Sequence, residues 1–241
     1  MLFHCSSLGL LMTEARSIDE NLLTDDLRKI KAKKTKTQEE QTILDRLKRQ
    51  TLSETAKSHI KSCVIREKYG FRSFDGSKHT EKGHYCEDDG INLVGLLHAK
   101  KYTKNTVRLE NEWLTGECDI LLDEIHDLKC PWSLGSFPFF DGEALKMVEE
   151  AGYDWQGRGY MMLYDKPKFH VHYLMLPTPE HLLSKFDNHE MYIDVVNQIP
   201  IHERIRTVTI RRDLAIEELI KQKVILAQEY AKTLVKQLES S

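Results

Sequence analysis

No stretch of the 241-residue chain approaches the ~20 consecutive apolar residues that a membrane-spanning helix requires. Its opening, MLFHCSSLGLLM, is apolar but short, and it lacks the basic flank of a secretory signal, so it reads as a buried N-terminal segment. The five cysteines, Cys5, Cys63, Cys86, Cys118 and Cys130, are scattered and form no CxxC pair. That pattern argues against a disulfide framework or a zinc site and fits reduced thiols in the cytoplasm. A basic surplus is missing as well: 35 Lys and Arg stand against 38 Asp and Glu, for a net charge of −3. The balance does not advertise a nucleic-acid binder, yet it leaves room for an acidic metal site. Internal repeats and low-complexity segments are absent.

What is present is an ordinary globular composition, with 40% hydrophobic and 30% charged residues. The length suits one domain with helical additions. The expectation is a single unit over 1–241, with a helical N-terminal region about 13–70, a central region about 80–180 and a C-terminal helix about 213–239. From Asp25 to Arg49 the apolar positions are sparse, and the stretch reads as exposed helix interrupted around Lys34–Thr37. Its lysines and arginines suit a solvated helix face, the commoner use, or a track for a phosphate backbone. Ser53 signals the start of a second helix and Gly70 its end.

Tyr85, Ile91, Val94 and Leu97 recur at helical spacing and predict a helix over 83–97. Strand-like stretches follow at Thr106–Leu109, Cys118–Leu122 and Ile125–Cys130. Asp123-Glu124 is a tight connection that pairs the last two as a hairpin, and Pro131 ends the second strand. Helices are expected over 143–151 and from Asp154 to Tyr164, and a strand over Phe169–Leu176. Asp213–Leu238 is amphipathic, and such a helix packs on its own domain more often than on a partner. The fold class is α/β, a mixed β-sheet flanked by helices.

The stretch from Gly116 to Lys129 carries the chemistry. Asp119 stands at the start of one strand and Asp127 on its neighbour, with Lys129 two residues further. Residues i and i+2 of a strand share a face, so Asp127 and Lys129 point the same way and Asp119 can face them across the hairpin. Two ionised carboxylates converging on one point repel unless a cation lies between them. Oxygen ligands with open positions suit Mg²⁺, and the Leu128 carbonyl is a further candidate ligand. Such a site meets the needs of phosphodiester hydrolysis, with Lys129 orienting or deprotonating the attacking water.

Around this trio stand Lys82-Gly83-His84-Tyr85-Cys86-Glu87, Gly116-Glu117-Cys118-Asp119, Asp127-Leu128-Lys129 and Gln156-Gly157-Arg158-Gly159-Tyr160. In that order they resemble the PD-(D/E)XK nuclease superfamily, in its RecB-like and lambda-exonuclease-like (YqaJ-like) branch of phage recombination exonucleases. The resemblance reaches to about Leu176 and includes His4-Cys5-Ser6-Ser7-Leu8-Gly9. It implies a restriction-endonuclease-like core and a Mg²⁺-dependent site, in which Mn²⁺ can substitute. Glu87, Asp119 and Asp127 would then be metal ligands, and Gln156 and Tyr160 would brace the site and contact the DNA backbone. Gln156 and Tyr160 also fit ordinary core packing, and Asp88 stands beside Glu87 as a rival ligand. Ser6 or Ser7 could hold a phosphate, or simply start a helix. Cys118 replaces a proline common in the family, and Asp127 is shorter than the glutamate of many members. Without a cysteine after Cys130, the iron–sulfur cluster of some relatives is not expected.

The implied activity is exonucleolytic digestion of DNA from an end, double-stranded and 5′-to-3′, feeding recombination. A single-strand annealing protein is the implied partner, a ring-shaped homo-oligomer a possible assembly, and the cytoplasm of the host cell the location. The alternatives are an endonuclease or defence-system nuclease on the same core, or an inactive DNA-binding module. His170 and His172 share a strand face, where solvated side chains are commoner than a metal pair. His126 is expected to face away from Asp127.

Overall fold

The computed structural model describes residues 1–71 and 76–240. The chain begins with a short strand, β1 (Phe3–His4), a 3-10 turn and a short helix, α1 (Leu8–Met12). Phe3, Cys5, Leu8 and Leu11 are almost fully buried. Each large apolar side chain so buried is worth roughly 1.5–3 kcal/mol, so the segment is part of the core rather than an appendage.

Helices α2 (Asp25–Ala32), α3 (Gln38–Arg49) and α4 (Glu54–Tyr69) follow. A reciprocal Thr37–Glu40 capping box starts α3. At α4, Ser53 Oγ accepts the Ala56 N–H and Gly70 ends the helix at φ 66°, a left-handed conformation that glycine adopts without strain. The α2–α3 pair encloses a small core of its own around Ile18, Leu23, Leu44 and Leu47. Lys29, Lys31, Lys33 and Lys48 are each paired with a carboxylate of this same layer. These are exposed ion pairs of the kind a solvated helix face carries.

Next come α5 (Lys78–Tyr85) and α6 (Glu87–Leu97), then the strands β2 (Leu109–Glu110), β3 (Leu114–Gly116), β4 (Ile120–Leu121) and β5 (Ile125–Lys129). After them lie α7 (Asp141–Ala151), α8 (Tyr153–Tyr164), β6 (Lys168–Leu174), α9 (Val195–Gln198), β7 (Ile205–Arg211) and α10 (Leu214–Glu239). One sheet has the order β1-β3-β2 and the other β4-β5-β6-β7. In the second sheet the β4–β5 hairpin is antiparallel, β5–β6 is parallel and β6–β7 is antiparallel.

Both faces of the second sheet are covered, each by its own cluster. Ile125, Phe169, Val171, Tyr173 and Val208 join the main core with residues of α8 and α10. Leu128 and Leu174 turn to the other side and pack with Ile91, Val94 and Tyr102. Helix α8 lies across both sheets and carries the site's bracing residues. A Cβ on Gly157 would come within 2.0 Å of the Phe169 ring, so glycine is what lets α8 rest on β6.

The expected elements stand with several corrections. The helix expected over 83–97 is two helices that change direction at Cys86, whose φ −90°, ψ 1° cap both. No strand forms over Thr106–Val107; β2 starts only at Leu109. The strand β7 was not foreseen, although Val208, Thr209 and Ile210 are strand-favouring types. His172 is fully buried rather than solvated, because the α6 side closes over that face. The paired hairpin, α8 and the long C-terminal helix fall within a few residues of their expected positions.

Candidate active site

The β4–β5 hairpin brings Asp119 and Asp127 together, as the spacing implied. Asp119 sits just before β4, and its Oδ2 accepts the Leu128 N–H at 2.7 Å. The main chain around it is pinned from several sides. The Asn105 N–H donates to the Asp119 carbonyl at 2.7 Å, and Asn105 Nδ2 donates to the Cys118 carbonyl at 3.0 Å. Tyr160 Oη donates to the Glu117 carbonyl at 2.9 Å, and Tyr164 Oη reaches the Gly116 carbonyl at 3.1 Å. Gly116 leaves room for this grip: a Cβ there would come within 2.6 Å of the Tyr160 ring.

Asp127 is 2% exposed. Its Oδ1 accepts from Gln156 Nε2 at 3.0 Å, so Gln156 sets the carboxylate's rotation. Its Oδ2 lies 2.5 Å from the Lys129 ammonium, but out of hydrogen-bond geometry, and it has no hydrogen-bond partner among the described residues. The Lys129 ammonium also rests over the Tyr153 ring, 4.3 Å from its centroid, a cation–π contact that holds the long side chain in place.

The electrostatics follow from this crowding. Burial, reinforced by the charge of Asp127, pushes the Asp119 carboxyl up to about 7; the Leu128 N–H and Lys129 only partly offset it. Burial acts to lower the Lys129 pKa, but the charge of Asp127, with smaller help from Tyr153 and Asp119, outweighs it and keeps the ammonium protonated. Two carboxylates thus share one poorly solvated space with a single cation.

These groups open on a cleft of about 980 Å³, whose wall includes Glu87, Lys104, Arg108, Trp132 and Tyr173. Glu87 lines the cleft and Asp88 does not, so the first of the two neighbouring carboxylates is the one placed at the site. Lys104 pairs with Glu87 Oε2 at 2.7 Å. No group of three or more His, Cys, Asp or Glu side chains among the described residues is gathered as a metal cage. A Mg²⁺ ion does not require one, since it is held by one or two carboxylates, waters and substrate phosphate. The Asp127 carboxylate, whose Oδ2 is met only by Lys129, and the crowded Asp119 carboxyl are the donors such an ion fits. The Leu128 carbonyl leaves the strand on the same side as its N–H, toward Asp119.

Ser6 and Ser7 are not brought to this cleft. Ser7 Oγ donates to the His4 carbonyl at 3.1 Å and so serves the N-terminal turn. Gln156 and Tyr160 are 5% and 4% exposed and face inward, where they brace Asp127 and Glu117. Lys104, Arg108, Tyr153 and Tyr173 were missed. Lys104 and Arg108 lie in an irregular stretch without periodicity, and the tyrosines look like ordinary core residues.

His126 does face away from Asp127. It stacks on His170 and His172 with centroids 4.8 and 5.2 Å away, and its Nδ1 lies 2.9 Å from His172 Nε2.

A mixed sheet flanked by helices, with paired carboxylates and a lysine on one hairpin, defines a nuclease of the restriction-endonuclease-like fold. Scans against protein-family models and curated proteins find no match. Among solved structures the chain is similar to a phage-related exonuclease from Haemophilus somnus 129PT, at 34% identity and a TM-score of 0.84, over 99% of this chain and 96% of that one. An alkaline exonuclease (LHK-Exo) from Laribacter hongkongensis shares the fold at 11% identity and a TM-score of 0.62, over 99% of this chain and 92% of the other. A second structure of LHK-Exo, in complex with dAMP, aligns over the same shares at 10% identity and a TM-score of 0.59. The chain belongs to the phage-related exonuclease family, the lambda-exonuclease-like (YqaJ-like) branch of the PD-(D/E)XK nucleases.

Proposed function

We infer that this nuclease is a Mg²⁺-dependent exonuclease that hydrolyses phosphodiester bonds from the ends of double-stranded DNA, in the 5′-to-3′ direction. The observation that carries the chemistry is the Asp127 carboxylate: buried, held at Oδ1 by Gln156, paired at Oδ2 with Lys129 and set beside a second buried carboxyl, Asp119. DNA as substrate is supported by the family and by the dAMP in the LHK-Exo complex. End-directed digestion and its polarity rest on the family resemblance. So do a recombination role beside a single-strand annealing protein, a ring-shaped oligomer and a cytoplasmic setting. No helix among the described residues is long and apolar enough to cross a membrane.

In this reading Asp119 and Asp127 hold the metal, with the Leu128 carbonyl and with Glu87 once it is released from Lys104. Bound there, a divalent cation lowers the pKa of water and neutralises charge on the scissile phosphate. Lys129 is held by Asp127 and the Tyr153 ring so that its ammonium faces the reacting centre. It orients the attacking water and offsets negative charge as the phosphate passes through its transition state. Gln156 keeps Asp127 from rotating, and Tyr160 and Asn105 fix the main chain on either side of Asp119. The whole chain serves as one nuclease domain, with the N-terminal helical layer and α10 supporting the core.

The test is incubation of the purified protein with linear and with covalently closed circular DNA, in Mg²⁺ and in EDTA, beside the Asp119→Ala variant. Mg²⁺-dependent loss of the linear form alone is expected, and Asp119→Ala should abolish it. Cutting of circles would replace the exonuclease with an endonuclease. No hydrolysis with any divalent metal would overturn the catalytic reading.

A further inference from the structure

The metal reading accounts for the crowded carboxylates of Asp119 and Asp127 but not for a buried polar atom on the same face. Tyr173 lies on β6 directly opposite Lys129 in the parallel β5–β6 register. Paired residues of adjacent strands project to the same face, so the Tyr173 side chain shares its face with Lys129 and Asp127. It is 2% exposed and lines the active-site cleft. Its hydroxyl has no hydrogen-bond partner among the described residues. Leaving a buried hydroxyl unpaired costs about 1–3 kcal/mol, a cost that phenylalanine would avoid at the same shape. Burial, then the neighbouring Tyr153 and Asp127, push the phenol well above its ordinary pKa. A tyrosine hydroxyl carries one proton to donate, and here nothing among the described residues receives it.

A neutral phenol oxygen is a poorer ligand for a hard cation than the two carboxylates beside it, and its proton remains to be donated. What such a group lacks is an acceptor, and an anionic one gives the strongest bond. The nearest cation on its own face, Lys129, is already engaged by Asp127 and the Tyr153 ring. A phosphate entering the cleft would thus find one donor on this strand pair with nothing else to bind.

We propose that Tyr173 is a substrate-binding catalytic residue whose hydroxyl donates a hydrogen bond to a non-bridging oxygen of the bound DNA phosphate. This rests on the nuclease reading and adds a donor to the site. No proton is transferred in the step; the phenol stays protonated and the bond strengthens as charge gathers on the phosphate oxygens.

The deciding variant is Tyr173→Phe, which removes one oxygen and keeps the ring. Three measurements are made on the full chain: thermal unfolding, single-turnover cleavage of linear DNA in Mg²⁺, and binding of a short deoxyoligonucleotide with Ca²⁺ in place of Mg²⁺. The expected result is an unchanged or raised Tm, cleavage slowed by about 100-fold and oligonucleotide affinity weakened by about 10-fold. Cleavage and binding equal to wild type would overturn the proposal. So would a fall in Tm together with activity, because the hydroxyl would then be holding the fold. A wild-type protein that cleaves nothing would sink the nuclease reading separately, and the binding comparison would still decide for or against Tyr173.

Discussion

The two faces of the β5–β6 strand pair both bury polar groups, and they treat them in opposite ways. On the side away from the cleft, His126 and His172 bond to each other, His172 Nδ1 lies 2.8 Å from Thr207 Oγ1, and His170 Nδ1 lies 2.9 Å from Thr209 Oγ1. Glu124 completes this face at 2.6 Å from His170 Nε2. Each polar atom named there has a partner supplied by the chain. On the cleft side, Tyr173 Oη has no hydrogen-bond partner among the described residues, Asp127 Oδ2 is met only by the Lys129 ammonium, and Asp119 is held near a second carboxylate against its electrostatic preference. A closed network stabilises; an open one waits for something that is not protein. Buried polar groups alone therefore do not mark a functional site here, nor does every unfinished one, since Asp154 Oδ1 is also unsatisfied but does not line the cleft; what marks the site is unfinished polar groups gathered on one cleft.

The contrast is broken most severely by Asp119→Asn. The amide oxygen keeps the acceptor for the Leu128 N–H, while the charge that burial and Asp127 oppose is removed. A group whose folded pKa is raised to about 7 costs the folded state stability as pH rises from its unfolded value toward and past that pKa. Measured by thermal unfolding at pH 8 in EDTA, the variant should be more stable than wild type. Its cleavage rate in Mg²⁺ should fall by on the order of 1000-fold. Loss of both stability and activity would show that the cleft face is finished by the protein after all.

A pH titration separates the faces by a smaller margin. His172 is held well below its ordinary pKa by burial, then by His126, His170 and His98. His126 is pushed down to about 4, again by burial first and then by His170 and His98. Both are neutral in the folded protein and take protons on unfolding. Their stabilising contribution is complete above the unfolded pKa of about 6.5 and is lost as pH falls from there toward 4. Asp119 gains stability over the same window as it takes up its proton, so the midpoints are measured at half-unit steps between pH 7 and pH 4 in the Asp119→Asn background, where they should drop. The slope should shrink in His172→Gln, and an unchanged slope would reject the histidine network as its source. The contribution of Glu124, pushed down to about 2 by Lys168 and His170, is lost below about pH 4.5, so the two effects are separable.

Only one of these faces was legible in the sequence. Asp119, Asp127 and Lys129 could be read because a hairpin places i and i+2 side chains together over a short distance in sequence, and chemistry limits what two carboxylates and a lysine can do there. The start and end of α4 were legible through Ser53 and Gly70, whose local geometry needs no tertiary context. The histidine face was not. His126, His170 and His172 look like alternating polar residues of a solvated strand, and their burial is imposed by Tyr102 and α6, far away in the chain. Tyr173 and Tyr153 were hidden for the opposite reason: aromatic residues at strand and helix positions are ordinary core, and only the register with Lys129 and the cation–π contact gives them a role. The break at Cys86 escaped because the apolar spacing continues across it.

The smallest effect gives the sharpest comparison. Thr207→Val removes one hydroxyl from β7 and leaves His172 Nδ1 without its partner at the closed face. The lost bond is part-buried and neutral, so its removal should cost about 1 kcal/mol of stability, read from denaturant midpoints at constant m. Cleavage should stay within a factor of about two of wild type, because the Thr207 hydroxyl meets His172 on the face of the sheet away from the cleft. Asp119→Asn and Thr207→Val would then dissociate in both directions, one losing activity while gaining stability and the other losing stability while keeping activity. If Thr207→Val slowed cleavage as much as it lowered stability, the two faces would be coupled through β6. The histidine network would then belong to the active site rather than to its support.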